Sequence, residues 1–284
     1  MVSTKRLITG TLLVLASLVL AACMLLPGKF GSDLTLHRDG TFSFTYKGEI
    51  FLLPLSKLAQ DKPAGAGEKK PFTPSPCRDE GSQASRPCTK TEVDAQRAAW
   101  DVAQSGAPQR DAENERMAKA WLGGLDPSDP KAADAFAERL SRQAGWKSVI
   151  NRGDGRFEVE YAVSGRLDHD FSFPMIERMP AVVPFVTMIR RTDGSVRIDA
   201  PAFASSASAS PLMAMLAEVA KDKAKGSESP LPQMDGTFTL HTDGAILANN
   251  TDEGARPDPA GQRLDWKVDV RTAAMPTALI RLDR

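Results

Sequence analysis

Apolar and polar positions alternate with a period of two over several stretches of this chain. Leu34 and Leu36 precede Asp39-Gly40, and Phe42, Phe44 and Tyr46 follow at two-residue spacing. Successive strand side chains point to opposite faces, so this aromatic row predicts a hairpin with one packed face, its turn made by Asp-Gly. The same rhythm returns at Phe157, Val159, Tyr161 and Val163 beyond Gly153-Asp154-Gly155. A third hairpin is predicted at Val186–Arg190 and Val196–Ile198 around Asp193-Gly194. Phe171, Phe173 and Pro174 read as a buried corner. The C-terminal section predicts four strands, from GTFTL, AILANN, RLDWKVDV and TALIRL, with Leu264, Trp266, Val268 and Val270 along one side of the third.

Helical periodicity is sparser. One broken helix is predicted over residues 91–122, split at Gly106 and Pro108 because proline removes an interior hydrogen bond. A second is predicted with Asp129 as cap, Pro130 in the first turn, Phe136 and Leu140 on one face and Gly145 as stop. A third is predicted from Ser210 to Gly226, with Leu212, Met215, Leu216 and Val219 inward. Between Pro54 and Pro87, Pro63, Gly65, Gly67, Pro71, Pro74 and Pro76 interrupt any pattern, which reads as an excursion or covering loop. The fold class expected from these elements is α+β: an antiparallel β-sheet, partly closed or open, with helices covering one face. Residues 31–284 are read as a single domain carrying a partly helical insertion at about 54–122.

The first segment obeys a different logic. Lys5 and Arg6 precede an apolar run from Leu7 to Leu20, too short to span a bilayer permanently. Small residues at Ala21 and Ala22 suit cleavage of a signal peptide over residues 1–22. A plain secretory signal explains the same features and leaves Cys23 an incidental thiol. Leu20-Ala21-Ala22-Cys23, however, resembles the bacterial lipoprotein signal. That resemblance implies that Cys23 is acylated and becomes the first mature residue, followed by a lipidated tether at residues 23–30. Two or more acyl chains convert transient contact into stable anchoring. With Met24 rather than aspartate after the cysteine, the resemblance implies the outer membrane without fixing the face, and a lipoprotein facing the periplasm is the expectation.

Charge narrows the partners. The chain carries 36 basic and 36 acidic side chains, and losing Lys5 and Arg6 with a leader makes the body slightly acidic. No basic stripe marks a nucleic-acid surface. Cys77 and Cys88 flank the polar stretch CRDEGSQASRPC. In an oxidising compartment a structural disulfide is the ordinary outcome, and the spacing is not the Cys-x-x-Cys of redox centres.

Candidate chemistry is thin. His37 and His241 sit beside Asp-Gly turns, and His169 lies within Asp168-His169-Asp170. Such a group can orient an imidazole or hold a metal, but adjacent strand residues diverge and a metal needs a convergent ligand set. Asp252, Glu253 and Asp258 form an acidic loop without EF-hand spacing, and Asn249-Asn250-Thr251 reads as a polar turn. No nucleophile elbow, phosphate loop or zinc-protease pair occurs. No catalytic, metal or cofactor-binding residue is therefore assigned, and a non-enzyme is expected. Thr35-Leu36-His37-Arg38-Asp39-Gly40 is echoed by Thr239-Leu240-His241-Thr242-Asp243-Gly244, too short to establish a duplication.

LAAC, LTLHRDGTFSFTY and the late FTLHTDGAILANNTDEG with LDWKV resemble lipoproteins of Gram-negative bacteria, and the strand and turn pattern resembles the LppM-like lipoprotein domain. The resemblance implies no catalytic set. The expected function is a noncatalytic binding or assembly module at the membrane, held by Cys23 and meeting an envelope protein or lipid-like ligand. A lipid or small-ligand carrier is the close alternative, and an envelope hydrolase the alternative from another class.

Overall fold

The computed structural model describes residues 25–53, 72–78, 85–105, 122–126, 129–179, 183–204 and 233–282, with isolated helical positions between 113 and 120. The chain divides into two compact units, one of residues 61–120 and one of residues 1–60 with 121–284. In chain order, β1 (Leu25–Leu36) and β2 (Thr41–Leu52) precede β3 (Cys77–Arg78), β4 (Ser85–Arg86) and helix α1 (Lys90–Ser105). Then come α2 (Ala132–Ser141), β5 (Trp146–Asn151), β6 (Arg156–Arg166), β7 (Phe171–Phe173), β8 (Val186–Arg190) and β9 (Ser195–Asp199). The last are β10 (Asp235–Thr242), β11 (Ala245–Asn249), β12 (Arg256–Asp258), β13 (Gly261–Asp269) and β14 (Thr277–Arg281).

The larger unit is a two-sheet sandwich. Its seven-stranded sheet runs β12-β13-β10-β1-β2-β6-β5, and its five-stranded sheet runs β11-β14-β9-β8-β7. All neighbours are antiparallel except β1 and β10, which run parallel from Lys29 opposite Asp235 to Leu36 opposite Thr242. From Phe30 onward in β1, and along β2, the buried large side chains fall on even-numbered positions, among them Leu34, Leu36, Phe44 and Tyr46, all fully buried. Across the gap Phe44 meets Phe171 and Phe173, Tyr46 meets Phe173 and Phe185, and Phe30 stacks on Phe203. Fully burying such a side chain contributes about 1.5–3 kcal/mol, so this aromatic layer is the main adhesive of the fold. Where β1 bulges between Pro27 and Phe30, Gly48 lies opposite, and a Cβ there would stand 2.2 Å from the Lys29 carbonyl oxygen.

This architecture overturns the α+β expectation. The face expected to carry helices is covered by the second sheet, and neither sheet closes. Of the two bounded helices among the described residues, α1 belongs to the smaller unit. Helix α2 packs beside the β5 edge, with Phe136 edge-on to Phe157. The physical reason lies in the short apolar segments after Leu167. Each alternates well enough to form a strand, and together they pair into a second sheet whose inner face meets the aromatic row. Residues 25–30, expected as tether, are the first half of β1. The expected cap at Asp129 is displaced too. Its carboxylate accepts the Lys131 N–H at 2.9 Å, and α2 starts at Ala132 and ends at Ser141, before Gly145. The helix expected from Ser210 to Gly226 lies outside the described residues.

In the smaller unit, β3 and β4 pair as a short ribbon closed by a disulfide between Cys77 and Cys88. Helix α1 begins with a reciprocal cap: Glu92 accepts from the Thr89 N–H and hydroxyl, and the Glu92 N–H donates to Thr89 Oγ1. Phe72 packs edge-on to Trp100, with the Arg97 guanidinium over its ring.

Candidate functional site

The richest polar cluster forms where the Gly40 end of β1 meets the exit of β10. In the β1–β2 turn, Asp39 Oδ1 accepts the Thr41 N–H at 2.8 Å and its hydroxyl at 2.7 Å. The Thr41 hydroxyl and then its amide hold the Asp39 carboxyl below the usual carboxylate range. Asp193 repeats this arrangement with Ser195 in the β8–β9 turn. The Asp243-Gly244 pair behaves differently. After Thr242 the chain crosses to the other sheet, and Asp243 Oδ1 accepts the Arg38 N–H at 2.7 Å while the Arg38 guanidinium donates to the Asp243 carbonyl at 3.0 Å. Thr242 is buried at this crossing, donating to the Leu36 carbonyl at 2.6 Å and accepting the Gly244 N–H at 3.0 Å. Arg166 adds a bond to the Asp39 carbonyl. The two halves of the sequence echo therefore lie on adjacent parallel strands, linked through Arg38 and Asp243. An open recess of about 610 Å³ there is lined by Arg38, Thr242, Asp243, Ile246 and Gln262 among others.

Among the described residues, no catalytic constellation gathers around the histidines. His241 Nδ1 lies 3.2 Å from Asp258 Oδ2, and Asp258 is itself held by the Ala260 N–H at 2.9 Å. That amide bond, together with His241, keeps the Asp258 carboxyl below its ordinary range although loss of solvent pushes it the other way. An aspartate-oriented imidazole is half of a base-catalysis device. Among the described residues, however, no hydroxyl or thiol is hydrogen-bonded to it. His37 stands 3.8 Å from Asp243. In the Asp168-His169-Asp170 stretch, Asp170 accepts the Arg190 N–H, and no described residue makes a hydrogen bond or ion pair with the His169 side chain.

The acidic loop also disperses. Glu253 pairs with Arg256, Asp258 with His241, and Asp252 lines a separate recess of about 410 Å³ with Asp265, Trp266 and Lys267. Asn250 pins that corner, accepting the Trp266 indole N–H and the Thr277 N–H, both at 2.9 Å, and donating to the Met275 carbonyl. Asn249 accepts from the Thr251 N–H and hydroxyl, so Asn249-Asn250-Thr251 is a polar turn.

In the smaller unit, ligand atoms of Cys77, Cys88 and Glu92 lie within 4.8 Å of one another. Both sulfurs are consumed in the disulfide, and Glu92 is gripped by Arg86 at 2.7 and 3.0 Å and by Thr89. Arg86 is the largest cause holding the Glu92 carboxyl at about 2. The bonded state of these groups leaves no free donor set for a metal. Cys23, the expected acylation site, lies outside the described residues, and no helix among the described residues is long and apolar enough to cross a membrane.

No family model and no curated protein matches the chain. Among solved structures, the NMR structure of the folded domain of Mycobacterium tuberculosis LppM is similar over 93% of this chain and 92% of that one, at 12% identity and a TM-score of 0.31. A likeness that distant transfers neither fold details nor activity.

Proposed function

We propose that this chain is an envelope lipoprotein acting as a noncatalytic binding or assembly module, anchored to the outer membrane through acylated Cys23 and facing the periplasm. The observation that carries it is the leader, Lys5-Arg6, the apolar run to Leu20, and Ala21-Ala22-Cys23. Support for surface binding comes from the interior. Aromatic ring centroids between the sheets sit 4.4–6.1 Å apart through Phe30, Phe203, Phe185, Phe173 and Phe44. A lipid carrier needs a cleft or cavity that buries most of its ligand, and the space between these sheets is filled with rings. A partner would meet the polar loop ends instead, where Arg38, Asp39, Arg166 and Asp243 are already fixed by turn bonds. Intact-mass measurement of the mature protein tests the reading: the expected species begins at Cys23 and carries acyl chains. An unmodified chain beginning elsewhere refutes it.

A further inference from the structure

The anchor and the first strand are almost contiguous. Only Met24 separates Cys23 from Leu25, where β1 begins. Two extended residues reach about 7 Å, comparable to the headgroup layer of one leaflet, about 5–8 Å thick. A protein acylated at Cys23 therefore has the Leu25 end of its seven-stranded sheet at the headgroups.

Neighbouring strands fix what else lies there. Leu25 pairs with Leu52, and the Leu52 N–H donates to the Gly155 carbonyl at 2.8 Å. The β5–β6 hairpin tip, residues 152–155 with Arg156 opening β6, is thus two strand spacings from Leu25, about 10 Å at 4.8 Å each. Its Arg152 and Arg156 are partly exposed, 47% and 45%. Arg152 gives Nε and Nη2 to Glu158, leaving Nη1 uncommitted, and Arg156 touches Glu49 only at 3.4 Å. Exposed Ile150 sits on the same hairpin. Arginine donors suit lipid phosphate, and an apolar side chain beside them suits the layer below.

We infer that the β5–β6 hairpin tip is a membrane-docking element, placed against phosphate headgroups by the two-residue distance between Cys23 and β1. The inference rests on the lipoprotein reading and deepens it. β1 runs about 36 Å at 3.3 Å per residue, so the Arg38, Asp39 and Asp243 cluster stands at the far end of the sheet, presented to the periplasm. The β8–β9 turn shares that far end, since Arg190 donates to the Leu167 carbonyl and the Leu167 N–H donates to Gly40.

The test uses full-length, membrane-processed protein carrying Asp154→Cys, Ile150→Cys or Thr192→Cys, each labelled with a fluorophore while Cys77 and Cys88 stay bonded. The proteins are reconstituted in vesicles of phosphatidylethanolamine and phosphatidylglycerol doped with headgroup-nitroxide lipid. Each variant must keep the near-ultraviolet circular dichroism of the parent. Ile150→Cys lies on regular strand and carries the test alone if Asp154→Cys disturbs the turn. The nitroxide is expected to quench at least half of the emission at 154 and 150 and to leave 192 unchanged. Equal quenching at all positions, quenching at 192 alone, or none at the tip overturns the docking element. Intact mass on the same samples separates the failures. An acylated chain without tip quenching sinks only the orientation, whereas an unmodified chain sinks the anchor and the orientation together.

Discussion

Thr242 shows how much one hydroxyl carries where the chain leaves one sheet for the other. It is fully buried, donates to Leu36 and accepts from Gly244. Thr242→Val keeps the shape and strands both partners, which costs about 1–3 kcal/mol per unsatisfied buried group. Urea unfolding should show that loss, and Thr242→Ser should recover most of it. Equal stability of the Val and Ser variants would contradict the assigned role. Glu92 makes a second case, through charge. Its folded pKa is depressed from 4.5 to about 2, with Arg86 as the largest cause. A depressed carboxylate contributes stability above its unfolded pKa and loses it as pH falls through the folded value. The Glu92 contribution to the α1 cap is therefore intact above about pH 4.5 and fades toward pH 2. A carbon-detected NMR titration of the Glu92 carboxyl should find a midpoint near 2. In Arg86→Gln that midpoint should move up toward the ordinary value.

At the scale of elements, Phe173 is the ring on which the layers meet, touching Phe44, Tyr46, Trp146, Tyr161 and Phe185. Phe173→Ala should destabilise the sandwich by about 3–5 kcal/mol, as large-to-small core changes do. Denaturant unfolding checks it, and a change below about 1 kcal/mol would mean the site collapses without cost. Phe173 also marks the boundary of what the chain reveals before folding. Its burial was legible from Phe171-x-Phe173-Pro174, and the hairpins at Asp39-Gly40, Gly153-Asp154-Gly155 and Asp193-Gly194 were legible from local turn chemistry. Which sheet each strand joins was not, because that depends on pairings across the chain, such as β14 with β9. The helix layer was over-read for the same reason: periodicity identifies an apolar face and leaves its covering open. At the candidate site the Asp-Gly echo was visible, whereas the contact between Arg38 and Asp243, 205 residues apart, had no local signature.

Across the larger unit, the parallel ladder between β1 and β10 joins the first described strand to the C-terminal section. β10 in turn pairs with β13, which carries Trp266, while β1 leads through β2 and β6 to β5 and Trp146. Trp146 is buried against Phe173 and Tyr161, and Trp266 is stacked on Phe238. The two indoles therefore report opposite wings of one seven-stranded sheet. If the central ladder makes the unit cooperative, no intermediate should keep one wing and lose the other. Two single-tryptophan proteins test this, one keeping Trp146 and one keeping Trp266, with the remaining three tryptophans changed to Phe. Each Trp→Phe change shifts stability on its own, so each protein is compared with a far-ultraviolet circular dichroism transition recorded on the same sample. Fluorescence and dichroism midpoints in urea are expected to coincide within each protein. A fluorescence transition that precedes the dichroism in one protein and follows it in the other would show two wings unfolding separately. The β1–β10 ladder would then be a seam between them.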